Sequence, residues 1–202
     1  MNSSNNKESL GQQFDEALVY ASDAHRAQRR KGSRTPYVAH LLGVCSIALE
    51  LGADQEQAIA ALLHDAVEDQ GGSDRLADIR LRFGEDVATI VAHCTDGEPN
   101  ADRSGRENWR PRKEAYIASL SEKPQRSLLV SLADKTHNAR AICDDLDNLG
   151  NVVFDRFTGE KAGTLWYYAA LAEEFERLLP GIGADRLKAA VKQMHHLSEE
   201  GL

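Results

Sequence analysis

His64, Asp65, Glu68 and Asp69 stand within one short stretch, directly after the apolar run at residues 60–63. An α-helix repeats every ~3.6 residues, so His64 and Glu68 would share one face and Asp65 and Asp69 the next. Carboxylates this close together repel one another unless protons or a cation neutralise them. Two further segments add donors. His40 falls early in a second apolar stretch, and Asp134 follows the apolar run at residues 128–133. Two imidazoles, from His40 and His64, and two carboxylates, from Asp65 and Asp134, suit a divalent ion such as manganese, iron or zinc. Such a set leaves positions open for water and substrate. Asn138 lies one helical turn after Asp134, where it can hydrogen-bond a ribose or a ligand carboxylate without adding charge. Each feature alone is ordinary: a lone histidine on an apolar face usually packs, and a Glu-Asp pair is usually a solvated helix end. Their order, with each embedded in a strongly apolar segment, points to metal-assisted catalysis.

The elements that must position these groups all read as helices. Apolar residues at Phe14, Ala17, Leu18 and Ala21 keep a helical period, predicting a first helix over residues 14–30. A second runs over 37–51 and ends at Gly52. Asp54 can cap a third, which carries the His-Asp pair and stops before Gly71-Gly72. Further helices are expected from Ser73 or Asp74 to Gly84, and over 85–94, 112–121, 125–145, 160–179 and 184–197. Residues 97–111, rich in Gly, Pro, Asn and charge, predict a mobile substrate-facing loop. No alternating strand pattern appears. The expected fold is all-α, with residues 13–198 as a single domain between tails at 1–12 and 199–202.

The 202 residues, 42% hydrophobic and 28% charged, fit one ordinary globular domain. No stretch approaches the ~20 apolar residues of a membrane span. Residues 1–9 lack the apolar centre of a signal peptide, so a cytoplasmic location is expected. Cys45, Cys94 and Cys143 read as free thiols of a reducing compartment. A net charge of -8 argues against general affinity for nucleic acid. The cations are nevertheless clustered. Arg26, Arg29, Arg30, Lys31 and Arg34 form one group, and Arg103, Arg106, Arg110, Arg112 and Lys113 a second. An acidic metal centre needs such cations at its rim to hold a phosphorylated nucleotide.

The order His40, His64-Asp65, Asp134 resembles the HD-domain metal-dependent phosphohydrolases. The words around it are more specific. Arg29-Arg30-Lys31, Thr35-Pro36-Tyr37-Val38-Ala39-His40, Ala61-Leu62-Leu63-His64-Asp65-Ala66-Val67-Glu68-Asp69, Phe83-Gly84-Glu85-Asp86-Val87 and Leu132-Ala133-Asp134-Lys135 followed by Asn138 are similar to the hydrolase domain of RelA/SpoT-type alarmone enzymes. The similarity spans residues 14–145 or so, and the chain length leaves no room for a synthetase domain. The small stand-alone (p)ppGpp hydrolases are therefore the nearest type, among them the metazoan SpoT homologues.

This resemblance implies an HD-type bundle of roughly eight to ten helices around a single metal site. It implies one divalent ion, with manganese expected, held by His40, His64, Asp65 and Asp134. Glu68 and Asp69 would handle the water proton, and Arg30 would meet the guanine face with Lys31 and Ser33 nearby. Asn138 would hold the nucleoside, while Arg112 and Lys113 are candidates for phosphate contact. The implied reaction is loss of the 3′-pyrophosphate from (p)ppGpp, giving GDP or GTP.

Some features depart from the pattern. The 31–40 loop is about a residue longer than in the bifunctional enzymes, Arg34 has no obvious role in the family, and the 97–110 segment aligns poorly. Ala141 stands where many relatives carry a hydroxyl. A second reading is therefore a related phosphohydrolase acting on another phosphorylated nucleotide, such as the 2′-phosphate of NADPH or a deoxynucleotide. A third is a non-catalytic nucleotide-binding module. His25, His93, His137, His195 and His196 are expected to be surface or packing residues, and Trp166-Tyr167-Tyr168 a core stripe. Oligomeric state is not legible.

Overall fold

A computed structural model describes residues 10–95 and 109–200. Ten α-helices follow one another among these residues. They are α1 (Gln12–Ala24), α2 (Val38–Glu50), α3 (Gln55–Leu63), α4 (Ala66–Asp69), α5 (Gly72–Phe83), α6 (Glu85–Cys94), α7 (Trp109–Ser119), α8 (Gln125–Leu149), α9 (Glu160–Leu178) and α10 (Ile182–Glu200). Short 3-10 segments, Leu120–Glu122 and Gly150–Arg156, flank α8. No strand occurs among the described residues. An isolated antiparallel bridge pairs Arg29 with Pro36.

The central element is α3. Residues 58–63 are at most 1% exposed on every face of the helix, as an all-round apolar helix requires. Helices α1, α2 and α6 surround it, forming a first core that also takes Ile79 and Phe83 from α5 and Val130 and Ala133 from α8. A second core gathers Tyr116, Leu120, Tyr168, Leu171, Phe175, Leu187 and Met194 around the opposite face of α8, through Leu128, Leu132, Ala139 and Ile142. At 25 residues, α8 is long enough to serve both. Asp134 directly follows Ala133 and so lies at the seam between them.

Several boundaries differ from expectation, and the differences shape the site. Helix α1 stops at Ala24, not near residue 30. His25 is buried, its ring stacked on Tyr37 at 5.1 Å, which pulls the chain out of the helix. The chain then folds back on itself, with Arg30 N–H donating to Thr35 O and Tyr37 N–H to Gln28 O. The basic segment is thus a tight loop rather than a helix end. The third helix is interrupted at His64-Asp65, where Asp65 adopts φ -95° and ψ -6°, the bridge region favoured at active-site turns. The pair caps two helices instead of riding on one. Helix α7 begins at Trp109, with Pro111 in its first turn where a missing N–H costs nothing. Helix α8 runs on to Leu149, beyond the expected end near residue 145, and passes directly into the 3-10 segment Gly150–Arg156. Of the loop expected at 97–111, residues 97–108, with Arg103 and Arg106, lie outside the described residues, and residues 109–111 belong to α7 instead.

The start of α3 is secured by a capping box. Asp54 Oδ1 accepts from Gln57 N–H and Gln57 Oε1 accepts from Asp54 N–H, while Arg126 of α8 pairs with Asp54 and Glu56. Replacing Asp54 with Ala should lower stability by about 1 kcal/mol, read as a shift in the urea midpoint with the slope unchanged.

Candidate metal centre and nucleotide cleft

Three elements converge on one point. His40, in the first turn of α2, and His64, at the α3–α4 junction, bring their Nε2 atoms to 3.3 Å. Asp65 Oδ2 lies 3.3 Å from His40 Nε2 and 3.0 Å from His64 Nε2. The donor atoms of these three residues all fall within 4.8 Å of one another. Asp134 Oδ1, from α8, approaches the same two nitrogens at 3.3 and 3.5 Å. All four sequence-expected ligands are therefore brought together.

The surroundings arm these groups. His64 Nδ1 bonds to Ala61 O at 2.9 Å; a carbonyl only accepts, so Nδ1 carries a proton and Nε2 is the nitrogen turned to the cluster, free to bind a cation once its own proton is gone. Tyr37 OH donates to Asp65 Oδ2 at 2.7 Å. Lys135 Nζ holds Asp134 Oδ2 at 2.6 Å, and Asn138 Nδ2 donates to Asp134 Oδ1 at 2.6 Å. Burial alone would lower the His64 pKa, but the charges of and bonds to Asp65 and Asp134 outweigh it and hold it well above the ordinary value. Burial would likewise raise both aspartates. The His64 and His40 interactions keep Asp65 well below the usual range, and Lys135 with the same imidazoles does so for Asp134. Two lone pairs and two carboxylates aimed at one point inside a protein require a positive charge there. The donor set fits a divalent cation held by His40, His64, Asp65 and Asp134.

Beside this cluster opens a cleft of about 530 Å³, bounded by Arg30, Lys31, Ser33, His40, Asn138 and Ala141 among others. A second lobe of about 310 Å³ carries Glu68, Arg112 and Lys113, and shares Lys31, Ile142, Phe157 and Tyr168 with the first. Arg30 reaches Asn138 Oδ1 at 2.7 Å, so a hydrogen-bonded line runs from Arg30 through Asn138 to Asp134. Of the first basic group, Arg30 and Lys31 face the cleft. Arg26 pairs with Asp23, and Arg29 caps Arg34 O. Asp69 accepts from Gln28 Nε2 at 2.8 Å, and burial followed by the Asp65 charge raises its pKa.

The second lobe depends on how α7 is seated. A Cβ at Gly159 or Gly163 would come within 2.5 or 3.0 Å of the Trp109 indole, so these glycines let the ring lie against the start of α9. Lys113 Nζ then sits 4.7 Å from the Tyr167 ring centroid. Tyr167 and Tyr168 belong to the second core, and their outer edges also form the cleft wall.

Sequence reasoning missed Tyr37, Lys135, Gln28 and His137. His137 is no surface residue: its Nδ1 lies 3.0 Å from His40 Nδ1. Burial, then His40 and Arg30, push its pKa down to about 4. Spacing could have flagged Tyr37, three residues before His40, and His137, three after Asp134. Nothing in the pattern reveals Lys135, whose long stem brings Nζ back to its neighbour's carboxylate.

Comparison with known proteins places this geometry. An HD domain family model matches residues 17–160. Over 131 residues the chain is 40% identical to the Drosophila melanogaster protein named guanosine-3′,5′-bis(diphosphate) 3′-pyrophosphohydrolase MESH1, covering 63% of this chain and 68% of that one. Its Xenopus tropicalis namesake is 37% identical over 131 residues, covering 62% of this chain and 66% of the relative, just under two thirds of its length. The fold is similar to the solved structure of a metazoan orthologue of SpoT described as hydrolysing ppGpp. That match has a TM-score of 0.74 and 28% identity, covering 92% of this chain and 97% of the other.

Without a cation at the cluster, the pKa of His64, held up by Asp65 and Asp134, favours a proton on its imidazole. A histidine pKa raised by folding stabilises fully below the unfolded value of about 6.5, and that stabilisation is lost as pH rises through the folded value. The melting temperature without metal should therefore fall on the alkaline side, and manganese should restore it. Manganese titrations at pH 7 in buffers of different ionisation enthalpy should show about one proton released per ion. Buffer-independent heats would mean that His64 is already neutral.

Proposed function

The chain belongs to the HD domain family, and from that membership and the cleft we propose that it removes the 3′-pyrophosphate from guanosine alarmones, converting ppGpp to GDP and pppGpp to GTP. The observation that carries this reading is the convergence of His40, His64, Asp65 and Asp134 beside a cleft edged by Arg30, Lys31, Arg112 and Lys113. The names of the frog and fly relatives point to the same reaction. We read residues 13–198 as one catalytic unit and manganese as the ion. The partner is a small phosphorylated nucleotide rather than nucleic acid. Among the described residues no helix is long and apolar enough to cross a membrane.

A divalent cation bound at the cluster supplies Lewis acidity to a water and to a phosphoryl oxygen. The chain's own residues do the rest. Arg30 presents a planar guanidinium on which a guanine can stack, and its bond to Asn138 fixes the plane. Asn138 also holds Asp134 and so ties the nucleoside wall to the metal cluster. Lys31, Arg112 and Lys113 neutralise phosphate charge along the two lobes. Glu68 faces the second lobe and Asp69 lies one turn past Asp65. Between them they orient the attacking water and accept its proton. The raised pKa of Asp69 suits it to accept a proton, and Gln28 holds it in place.

One observation favours a different phosphorylated nucleotide as substrate. Ala141 lines the nucleoside lobe and offers no hydrogen bond to a ribose or base. NADPH is the alternative to run beside ppGpp.

Purified protein with manganese and ppGpp should yield pyrophosphate and GDP, abolished by chelator and by Asp65→Asn. Turnover of NADPH alone would transfer the chemistry to the alternative substrate, and turnover of neither would reject both. Glu68→Gln and Asp69→Asn should keep bound manganese and lower kcat by about 10²–10⁴-fold. Loss of the ion in both would place them among its ligands instead.

A further inference from the structure

An imidazole can bind a cation through one ring nitrogen only if that nitrogen keeps its lone pair, so the proton must reside on the other. The chain settles this for its two histidines by different means. His64 directs Nδ1 at a backbone carbonyl, Ala61 O, at 2.9 Å. His40 has no such carbonyl. Its Nδ1 faces His137 Nδ1 at 3.0 Å, the ring centroids 4.8 Å apart and the planes at 63°. Two ring nitrogens at that distance bond only when one of them carries hydrogen. With His40 Nε2 turned to the cluster, His40 Nδ1–H donates and His137 Nδ1 accepts, leaving the His137 proton on Nε2.

The approach needs space on α2. Gly43 lies one turn after His40, and a Cβ there would stand 2.3 Å from both Cδ2 and Nε2 of His137. Any side chain at this position would push the ring from its seat. His137 comes from α8, three residues after Asp134, so the helix that brings the second carboxylate also brings the acceptor.

We infer that His137, seated on Gly43, is a positioning residue that fixes the tautomer and ring plane of His40 and thereby sets the affinity of the metal site. The inference rests on reading His40 as a metal ligand, and its test uses the metal alone, so it is independent of the substrate. In calorimetric titrations of manganese into metal-free protein, His137→Phe should bind about 10–100-fold more weakly than wild type. His137→Gln, whose amide oxygen can accept the same hydrogen, should recover most of that loss. Gly43→Ala should weaken binding like His137→Phe. In zinc-loaded protein labelled with 15N-histidine, the His40 Nδ1–H proton should resonate downfield in wild type and lose that shift in His137→Phe.

Wild-type affinity in His137→Phe, or equal weakening in the Phe and Gln variants, would overturn the positioning role. Should His137→Phe not fold, Gly43→Ala decides, and wild-type affinity there overturns the role as well. Wild-type protein that binds no manganese would overturn the metal site itself, and this inference with it.

Discussion

Two imidazole nitrogens 3.3 Å apart, with a carboxylate oxygen about as close to each from either side, cannot persist in buried surroundings without a positive charge among them. Almost everything else in the molecule serves that requirement. The apolar helix α3 brings His64 to the centre and ends there, so that Asp65 can turn towards the same point. Tyr37 and Asn138 donate to the carboxylate oxygens that face the imidazoles, and Lys135 holds the outer oxygen of Asp134, so both carboxylates are fixed around the point where a cation would sit. A half-satisfied cluster of this kind would be costlier than an apolar core. Polar partners from α2 and α8 are what make its burial tolerable.

The same partners join chemistry to recognition. Asn138 contacts Asp134 with its amide nitrogen and Arg30 with its oxygen. A displacement of the Arg30 loop is therefore felt at a carboxylate of the cluster within two hydrogen bonds. The loop is itself held by the Arg29–Pro36 bridge and by the stacking of His25 on Tyr37. Tyr37 in turn bonds Asp65, so the loop is tied to the cluster at both ends.

The helical character of the chain and the donors at the centre were legible because both follow from short-range pattern. Apolar periodicity identified the helices, and His40, His64-Asp65 and Asp134 each follow or open an apolar run. What escaped was set by tertiary contact. Helix α1 ends early because His25 is drawn under Tyr37, a contact between residues that local periodicity does not relate. The break at His64-Asp65 has no Gly or Pro to announce it. His137 looked like a packing histidine because its partner is 97 residues away in sequence, and Lys135 because helical spacing assigns it to the wrong face.

The seam between the two cores separates what can change from what cannot. His40, His64 and Asp65 hang on the first core, and Asp134 on the helix that both cores share. Arg112, Lys113 and the Tyr167–Tyr168 wall hang on the second, which includes α9 and α10, helices lying beyond the residues 17–160 that match the family model. Substitutions in the second core can therefore reshape the cleft wall while His40, His64 and Asp65 keep the support of the first.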